Sequence, residues 1–425
     1  MEKNESKQVE GGARGGIPGA FWALALAQAV SLFGNSALRF ALPLHVLTLT
    51  GSSAAMGAVT ACAWVPYLFL APVGGVIADR ARKRLVMASL DVVMAATCAA
   101  FLLLLGKVDV AALSVAALVV LYAVQGVYQP TVQASVPSLV PRGSIQRATA
   151  VTSQVSMLSS LVGPVLGGLA LGFAGIGAVA GASAALFLLS AALVASAVHV
   201  PFAPLPRTSG AVMTAAGDLA DAFRFLREGR PVILRTILLA TAFNLVMSSF
   251  MVIGTPVVVT QVLGLSSQMM GLAEGAIALG GLVGGTAAGA LAGRLPLKTS
   301  PAVLTAGSVC LLAMAAGALP VGAGAAYAVL VAGLFLTMAC CSLFSVQAVA
   351  FVQGETPAHL IGKVMAFVMA LSNCATPLGA LAYGWLLDAF RDALPVIVIC
   401  VVALSLLLAA GVRTVLARGL EEAER

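Results

Sequence analysis

The stretch that decides the fold is Gly75-Val76-Ile77-Ala78-Asp79-Arg80-Ala81-Arg82-Lys83-Arg84-Leu85, which joins one long apolar run to the next. Its charge changes from acidic to strongly basic within a few residues. A partial copy, Gly289-Ala290-Leu291-Ala292-Gly293-Arg294, follows a similar apolar run much later in the chain. One charged turn that is complete and one that is degraded predict a chain built from two related halves.

Most of the chain has the composition of a membrane-embedded protein. Its 425 residues are 60% hydrophobic and 9% charged, with a mean hydropathy of +1.05. A soluble protein of this length needs far more surface charge, and the long apolar runs predict helices rather than a barrel. At roughly 20 residues per span, they predict about twelve spans. The predicted spans are 20–48, 53–78, 85–106, 110–136, 148–172, 176–200, 232–260, 268–292, 300–320, 323–352, 363–387 and 394–416.

The basic residues cluster in alternate connecting turns. With both termini placed in the cytoplasm, all but three of the 23 Lys and Arg lie in or beside cytoplasmic segments, the exceptions being Arg39, Lys107 and Arg391. By the positive-inside rule, this bias fixes the orientation of a multi-pass membrane protein with both termini in the cytoplasm. The net charge of +7 is therefore topological, and no nucleic-acid partner is expected. The seven cysteines fall in predicted spans without metal-ligand spacing, so neither a disulfide nor a metal site is expected.

The longest interruption of the apolar pattern, 201–230, divides the chain into two sets of six spans. It begins with three prolines and continues with apolar residues on one helical face. We expect an amphipathic helix on the cytoplasmic membrane surface or a linker docked on the bundle, two compatible interpretations. The predicted segments are a cytoplasmic tail (1–19), an N-terminal six-helix bundle (20–200), this linker (201–230), a C-terminal six-helix bundle (231–416) and a second tail (417–425).

Residues of the first half recur in the second half at a constant spacing. Ser52, Ser53, Met56, Gly57, Gly75 and Arg80 have identical counterparts at 266, 267, 270, 271, 289 and 294. Apolar sequence also produces chance matches, so the repeat is supporting evidence rather than proof. Two parallel six-helix repeats are the architecture of a large class of secondary transporters.

Two motifs make a family resemblance specific. The 75–85 stretch resembles the Gly-x-x-x-Asp-Arg signature and basic cluster of the major facilitator superfamily, with Ala81-Arg82 where a glycine is usual. Gly163-Pro164-Val165-Leu166-Gly167-Gly168 resembles the antiporter motif of helix 5, and with Asp91 the region 30–170 is similar to the macrolide-efflux branch of multidrug:proton antiporters. The resemblance implies an all-α membrane protein with twelve transmembrane helices in two six-helix bundles related by a pseudo-two-fold axis.

The resemblance also implies roles for the two motifs. The first is expected to form a cytoplasmic gate in which the acidic residue latches the bundles, with a plain topogenic turn as the alternative. The second is expected to bend helix 5 for alternating access, with close packing of small residues as the alternative. The gate residues are Gly75, Asp79, Arg80 and Arg84. The bend residues are Gly163, Pro164, Gly167 and Gly168.

Three charged residues lie well inside predicted spans and away from their cytoplasmic ends, where an unpaired charge is costly, and are candidates for proton coupling. Glu274 is the first choice because no basic residue lies near it in sequence. Arg39 is its expected charge partner, since both fall in the outer halves of their helices, where a pair would form a gate or a proton-responsive switch. Asp91 is the second choice, because Arg80, Arg82 and Arg84 are near enough to neutralise it.

Uncharged polar residues of helices 1, 4, 7 and 10 are candidates for the substrate cavity that these helices line in the family. Interhelical hydrogen bonds are the alternative role for each of them. Helix 4 contains Tyr122-x-x-Gln125-Gly126 in place of the superfamily's Arg-x-x-Gln-Gly, which removes the usual basis for proton coupling there. The cavity candidates are Asn35, Gln125, Gln129, Asn244 and Gln347.

Together with these features, the resemblance implies a secondary active transporter of the bacterial cytoplasmic membrane that exports amphipathic, drug- or macrolide-like molecules by proton antiport through alternating access. The sequence has no nucleophile–base set, ATP-binding loop or metal spacing, so neither an enzyme nor a bound cofactor is expected. The expected partners are the substrate, protons and the lipid bilayer, and the chain is expected to be a monomer. Two alternatives stay open: a dedicated exporter of one metabolite, such as a siderophore or a lysophospholipid, and a transport-inactive membrane sensor or assembly protein.

Overall fold

The computed structural model describes residues 17–198, 211–291, 299–318, 320–357 and 360–423, and every regular element within these ranges is helical. Eleven helical segments among them are long and apolar enough to cross a membrane. The α-helices are α1 (Gly19–Thr50), α2 (Ser53–Arg80), α3 (Lys83–Leu104), α4 (Val110–Leu139), α5 (Ile145–Ala197), α6 (Ala211–Glu228), α7 (Pro231–Phe243), α8 (Ser249–Pro256), α9 (Ser267–Ala290), α10 (Ser300–Cys310), α11 (Ala323–Glu355), α12 (Ile361–Ala389) and α13 (Leu394–Ala423).

Helix α5 contains two of the predicted spans. It has 53 residues and is interrupted at Gly175, whose φ of 76° lies in the left-handed region that glycine adopts readily. An unbroken helix of this length would be roughly 80 Å long, more than twice the thickness of a bilayer core. The break therefore separates two crossings, and the predicted twelve-helix, all-α fold is confirmed.

The seventh crossing, Pro231–Val262, is a helix of changing pitch. Two wider π-helical turns, Asn244–Ser248 and Val257–Val262, flank α8. Such turns insert an extra residue into an α-helix and change which side chains share a face. The first of them supplies part of the cavity wall described below.

The described residues form two compact units, which we call unit 1 and unit 2. Unit 1 comprises the residues up to 41 and those from 66 to 211, and unit 2 comprises 42–65 and the chain from 212 onward. The ends of α1 and α2 that flank Gly51 thus belong to unit 2, although they lie in the first six-span half of the sequence. The units differ from the predicted bundles, 20–200 and 231–416, at this segment.

In each unit, glycines of one helix let it pack closely against a second helix. In unit 1, a Cβ at Gly163 would overlap Ser36 of α1, and one at Gly167 would lie 2.9 Å from the carbonyl oxygen of Ala37. In unit 2, a Cβ at Gly379 of α12 would overlap Ser249 of α8. Small residues let membrane helices approach this closely. The first and fifth crossings therefore pack as the seventh and eleventh do.

Helix α6 corresponds to the amphipathic helix predicted within 201–230. Its buried Ala222 and Leu226 pack with Ile233, Val352 and Val364 of unit 2. Lys363 donates a hydrogen bond of 2.7 Å to Asp221 and, by this bond and by its charge, holds the pKa of that carboxyl below its ordinary value of 3.8. The helix is therefore docked on the bundle by apolar contacts and one exposed ion pair.

Removing the apolar part of this contact should lower the stability of the folded protein more than removing the ion pair. Leu226→Ala is expected to cost about 2 kcal/mol or more, because the buried leucine leaves a gap, whereas Asp221→Asn should change the melting temperature little. Since the folded-state pKa of Asp221 is depressed, the pair stabilises the fold above pH 3.8 and its contribution disappears as the pH falls through the folded value. Thermal melts of the purified protein in detergent between about pH 5 and 8 should show no change in this contribution. A larger effect from Asp221→Asn than from Leu226→Ala would contradict this account.

Several predicted features fall outside the described residues. They are residues 1–16 of the N-terminal tail, 199–200 of the N-terminal bundle, 201–210 of the linker, 292–294 of the partial copy, 424–425 of the second tail and the side chain of Asp79. Helix α13 extends to Ala423, past the predicted end of the last span at 416.

Candidate functional site

Unit 2 contains a cavity of about 270 Å³ between the seventh, tenth and eleventh crossings. None of its described lining residues is charged. Hydroxyl groups and one amide alternate with apolar and aromatic side chains around the wall. The lining residues are Thr236, Ile237, Ala240, Thr241, Phe243, Asn244, Ser248, Met338, Cys341, Ser342, Phe344, Ser345, Ala348, Val349, Val352, Met365, Val368 and Ser372.

Asn244 is the one predicted cavity residue that lines this cavity. It is the first residue of the π-helical turn Asn244–Ser248, and Ser248 at the end of the same turn also faces the cavity. Phe243 and Phe344 pack with their ring centroids 6.1 Å apart in the wall. The wider turn thus brings an amide and a hydroxyl to an otherwise apolar and aromatic surface.

Two other cavity candidates make interhelical hydrogen bonds. Asn35 is buried and donates to the sulfur of Met94 at 3.7 Å. Gln347 accepts a hydrogen bond of 2.8 Å from Ser300 and donates to Thr299 at 3.4 Å, which ties α11 to the start of α10. These two residues take the alternative role that the sequence left open for them.

The remaining polar candidates of unit 1 lie on α4 or beside it. Gln125 is buried and Gln129 is partly buried. The guanidinium carbon of Arg39 lies 3.9 Å from the ring centroid of Tyr122, one turn before Gln125. A cation over an aromatic face is stabilised by the negative charge of that face. In place of the family's helix 4 arginine, this chain therefore has a tyrosine whose ring holds the arginine of α1.

Asp91 lies in a fully buried cluster of hydroxyl groups in unit 1. Its carboxylate accepts hydrogen bonds from Ser31 at 2.7 Å and from Ser190 at 2.6 Å, and the buried Tyr128 lies beside it. No lysine or arginine among the described residues forms an ion pair with it. The arginine pairing expected from the sequence is therefore replaced by neutral donors from α1 and α5.

Glu274 lies in α9 and is partly exposed. Within the described part of the chain, its carboxylate makes no hydrogen bond and no ion pair. Arg39 belongs to unit 1 and Glu274 to unit 2, so their predicted pairing stays a prediction. The two carboxylates thus differ in their surroundings: Asp91 accepts hydrogen bonds from two hydroxyl groups, whereas Glu274 has no hydrogen-bond partner among the described residues.

The basic turn after α2 binds carbonyl groups in unit 1. Lys83 donates to the carbonyl oxygen of Ala134 at 2.7 Å, and Arg84 donates to that of Ala195 in the last turn of α5. Cations at helix ends satisfy carbonyls that lack an intrahelical donor and favour the negative end of the helix dipole. In the helix just before this turn, Gly74 is the position with no room for a side chain, since a Cβ there would lie 2.8 Å from the Cα of Val127. Gly75, the glycine of the predicted gate, faces open space.

The family model of the Major Facilitator Superfamily matches residues 24–380. The chain belongs to the major facilitator superfamily. This confirms the resemblance that the two motifs carried, and it makes the protein a membrane transporter. The charged turn at 75–85 and the glycines of α5 both lie inside the matched range.

The curated relatives of this superfamily member include exporters. It is 28% identical over 375 residues to the multidrug efflux pump Tap of Mycobacterium tuberculosis, a match that covers 84% of each chain. It is 27% identical over 380 residues to the enterobactin exporter EntS of Salmonella typhimurium, covering 86% of this chain and 85% of the relative.

Solved superfamily structures show the same fold at low sequence identity. A peptide transporter POT in complex with alafosfalin matches with a TM-score of 0.71 and 14% identity, covering 95% of this chain and 96% of that one. The nucleoside transporter NupG matches with a TM-score of 0.69 and 15% identity, covering 93% and 99%.

One cluster of charged groups was not predicted from the sequence. Asp388 and Arg391 form an ion pair of 3.2 Å at the end of α12. The sequence contained one signal for it, since Arg391 is one of only three basic residues that depart from the cytoplasmic bias.

Proposed function

We propose that this protein exports amphipathic small molecules from the cytoplasm in exchange for protons, by alternating access across the bacterial cytoplasmic membrane. Both termini then lie in the cytoplasm, in agreement with the positive-inside bias. The observation that carries this proposal is the uncharged, mixed polar and aromatic cavity of unit 2.

The lining of the cavity suits ligands with a large apolar body and a few hydrogen-bonding groups. Its seven hydroxyl and amide side chains offer both donors and acceptors, while Phe243 and Phe344 provide flat apolar surface. Met338 and Met365 are flexible and adapt to different shapes. A volume of about 270 Å³ is close to the lower limit for sites that hold drug-sized molecules.

The relatives support export, and they support two different ranges of substrate. Similarity to a multidrug efflux pump favours many substrates, and similarity to an enterobactin exporter favours a single metabolite. The second candidate function is therefore a dedicated metabolite exporter that uses the same cavity. Mutual competition within a chemically diverse panel of compounds distinguishes the two, because a dedicated exporter would respond to one member only.

Two carboxylates within the crossings are the candidates for coupling protons to transport. A charge in the bilayer is costly unless it is paired, and both Glu274 and Asp91 lack a cationic partner among the described residues. Glu274 is the first choice because no hydroxyl or amide holds it in one geometry. Arg39, stacked on Tyr122, is proposed as the charge that Glu274 meets in one of the two states of the cycle.

Export is tested with inverted proteoliposomes that have an acidic lumen. A fluorescent amphipathic dye should accumulate inside, and accumulation should stop when nigericin abolishes the pH gradient. Accumulation that survives the loss of the gradient would contradict proton exchange, and accumulation of no compound in the panel would contradict export of amphipathic molecules.

Filling the cavity should abolish this accumulation. Ser345→Trp is expected to weaken dye binding at least about tenfold, or about 1.4 kcal/mol, because the indole would occupy much of the cavity. Val346→Trp is the matched control, since Val346 is the next residue, is 42% exposed and does not line the cavity. Equal loss in both variants would place the binding site elsewhere.

A further inference from the structure

A dense cluster of hydrogen bonds joins the start of α2 to the end of α12 within unit 2. The Asp388 carboxylate accepts from the Ser52 hydroxyl at 2.6 Å, from the Ser53 amide at 2.8 Å and from the Ala54 amide at 3.1 Å. Arg391 adds a bond of 3.2 Å to the same carboxylate and a bond of 2.8 Å to the Gly51 carbonyl oxygen.

The chemistry of this cluster is that of a helix cap supplied from a distant part of the chain. The first amides of a helix have no intrahelical acceptor, and the positive end of the helix dipole favours an anion. A cap usually comes from the residue just before the helix. Here the anion that caps α2 comes from Asp388, more than 300 residues later. The cap therefore exists only while the ends of α2 and α12 touch.

Beneath this cap the two helices meet through backbone rather than through interlocking side chains. A Cβ at Gly57 of α2 would overlap the carbonyl oxygen of Ala380, and one at Gly384 of α12 would lie 2.7 Å from that of Ser53. A contact between two smooth backbones can part without unpacking large side chains. It differs in this respect from the buried core of unit 2 around Leu226.

Water reaches the cluster, which lowers the cost of breaking it. The Asp388 side chain is 20% exposed and that of Arg391 is 58% exposed. Once separated, the carboxylate, the guanidinium and the helix amides would all be hydrated, so no unpaired charge would remain buried. Asp91 is the opposite case, because it is fully buried and its hydroxyl partners cannot be exchanged for water.

We propose that the Asp388 carboxylate is a releasable latch. It caps α2 while the transporter is closed at the membrane face where α2 begins, and its bonds to Ser52, Ser53 and Ala54 break when the cavity opens to that face. The proposal rests on the alternating access of the proposed function. The latch predicted at Asp79 lies at the other end of the same helix, and the 28 residues of α2 span roughly 40 Å. Helix α2 would then have one acidic latch at each membrane face.

A reversible cross-link tests the proposal directly. In a background whose seven native cysteines are replaced and which still transports, Ser52→Cys and Asp388→Cys place two thiols where the hydroxyl and the carboxylate now meet. Oxidation should lower dye transport at least about tenfold, because a disulfide between α2 and α12 prevents this face from opening, and reduction should restore transport. Folding is checked by the melting temperature and by dye binding in both redox states.

A second measurement follows opening without transport. Ser53 is buried at the contact, so Ser53→Cys should react slowly with a membrane-impermeant maleimide. Adding Asp388→Asn should speed this reaction about tenfold, as expected when hydrogen bonds lose a charged acceptor. Asp392→Asn is the matched control, because this exposed carboxylate lies one turn away in the same connection.

The outcomes separate the latch from the proposed function. Equal transport by the oxidised and reduced forms overturns the latch, as does equal labelling with Asp388→Asn and with Asp392→Asn. Absence of transport in the protein with its native Ser52 and Asp388 would count against the proposed function, and the labelling rates would still decide for or against the latch.

Discussion

Glu274→Gln is expected to abolish gradient-driven dye accumulation in inverted vesicles while dye binding is retained. Glutamine keeps the size and polarity of the side chain but cannot exchange a proton. Because Glu274 makes no hydrogen bond or ion pair within the described residues, few other contacts change with it. Dye exchange without a pH gradient should also persist, since alternating access itself does not need the proton.

Asp91→Asn is the matched control for this prediction. An asparagine can accept from one of Ser31 and Ser190 and donate to the other hydroxyl, so the buried cluster should survive and accumulation should continue. Loss of accumulation in Asp91→Asn but not in Glu274→Gln would reverse the order of the two coupling candidates. Accumulation unaffected by either change would refute a carboxylate mechanism altogether.

Gly284→Val is expected to destabilise the fold so strongly that most of the protein is no longer recovered in folded form. A Cβ at Gly284 of α9 would overlap the carbonyl oxygen of Ala339 in α11 and lie 2.8 Å from its Cα. One turn earlier, Gly280 meets the carbonyl of Phe335 in the same way. Because backbone rather than a flexible side chain blocks the space, the cost should reach the upper part of the usual overpacking range, about 3 kcal/mol. Size-exclusion profiles and melting temperatures in detergent measure it.

Gly289→Val is the control in the same helix. Nothing lies within 4 Å of a Cβ at Gly289, so this variant introduces the same side chain into α9 without a clash. It should fold and transport like the original protein. If the two variants lose the same amount of folded protein, the α9–α11 contact is not what makes Gly284 necessary.

The spans were predictable because the bilayer acts on each segment separately. A run of about 20 apolar residues must form a helix whatever it packs against, and so the twelve crossings followed from composition and length. The break at Gly175 was also visible, as a short gap between the predicted spans 148–172 and 176–200. Motifs at Gly75–Leu85 and Gly163–Gly168 then led to the superfamily, which the family match confirmed.

The roles of individual polar residues were less predictable. Asn35, Gln347 and Asn244 had equal standing in the sequence, yet only Asn244 faces the cavity, and it does so at a π-helical turn that sequence patterns do not indicate. Asp91 had arginines near it in sequence, and its partners proved to be Ser31 and Ser190, from two other helices. Asp388 was overlooked because its partners lie at the far end of the chain.

The sequence by itself determined how many times the chain crosses the membrane, which segments form the crossings and to which superfamily they belong. Only the tertiary structure decided which residues meet, as in the contacts of Gly57 with Ala380 and of Asp388 with Ser52. The physical reason lies in the solvent. A helix that is apolar on every side has no polar face to mark its orientation, so its rotation is set by close packing against other helices.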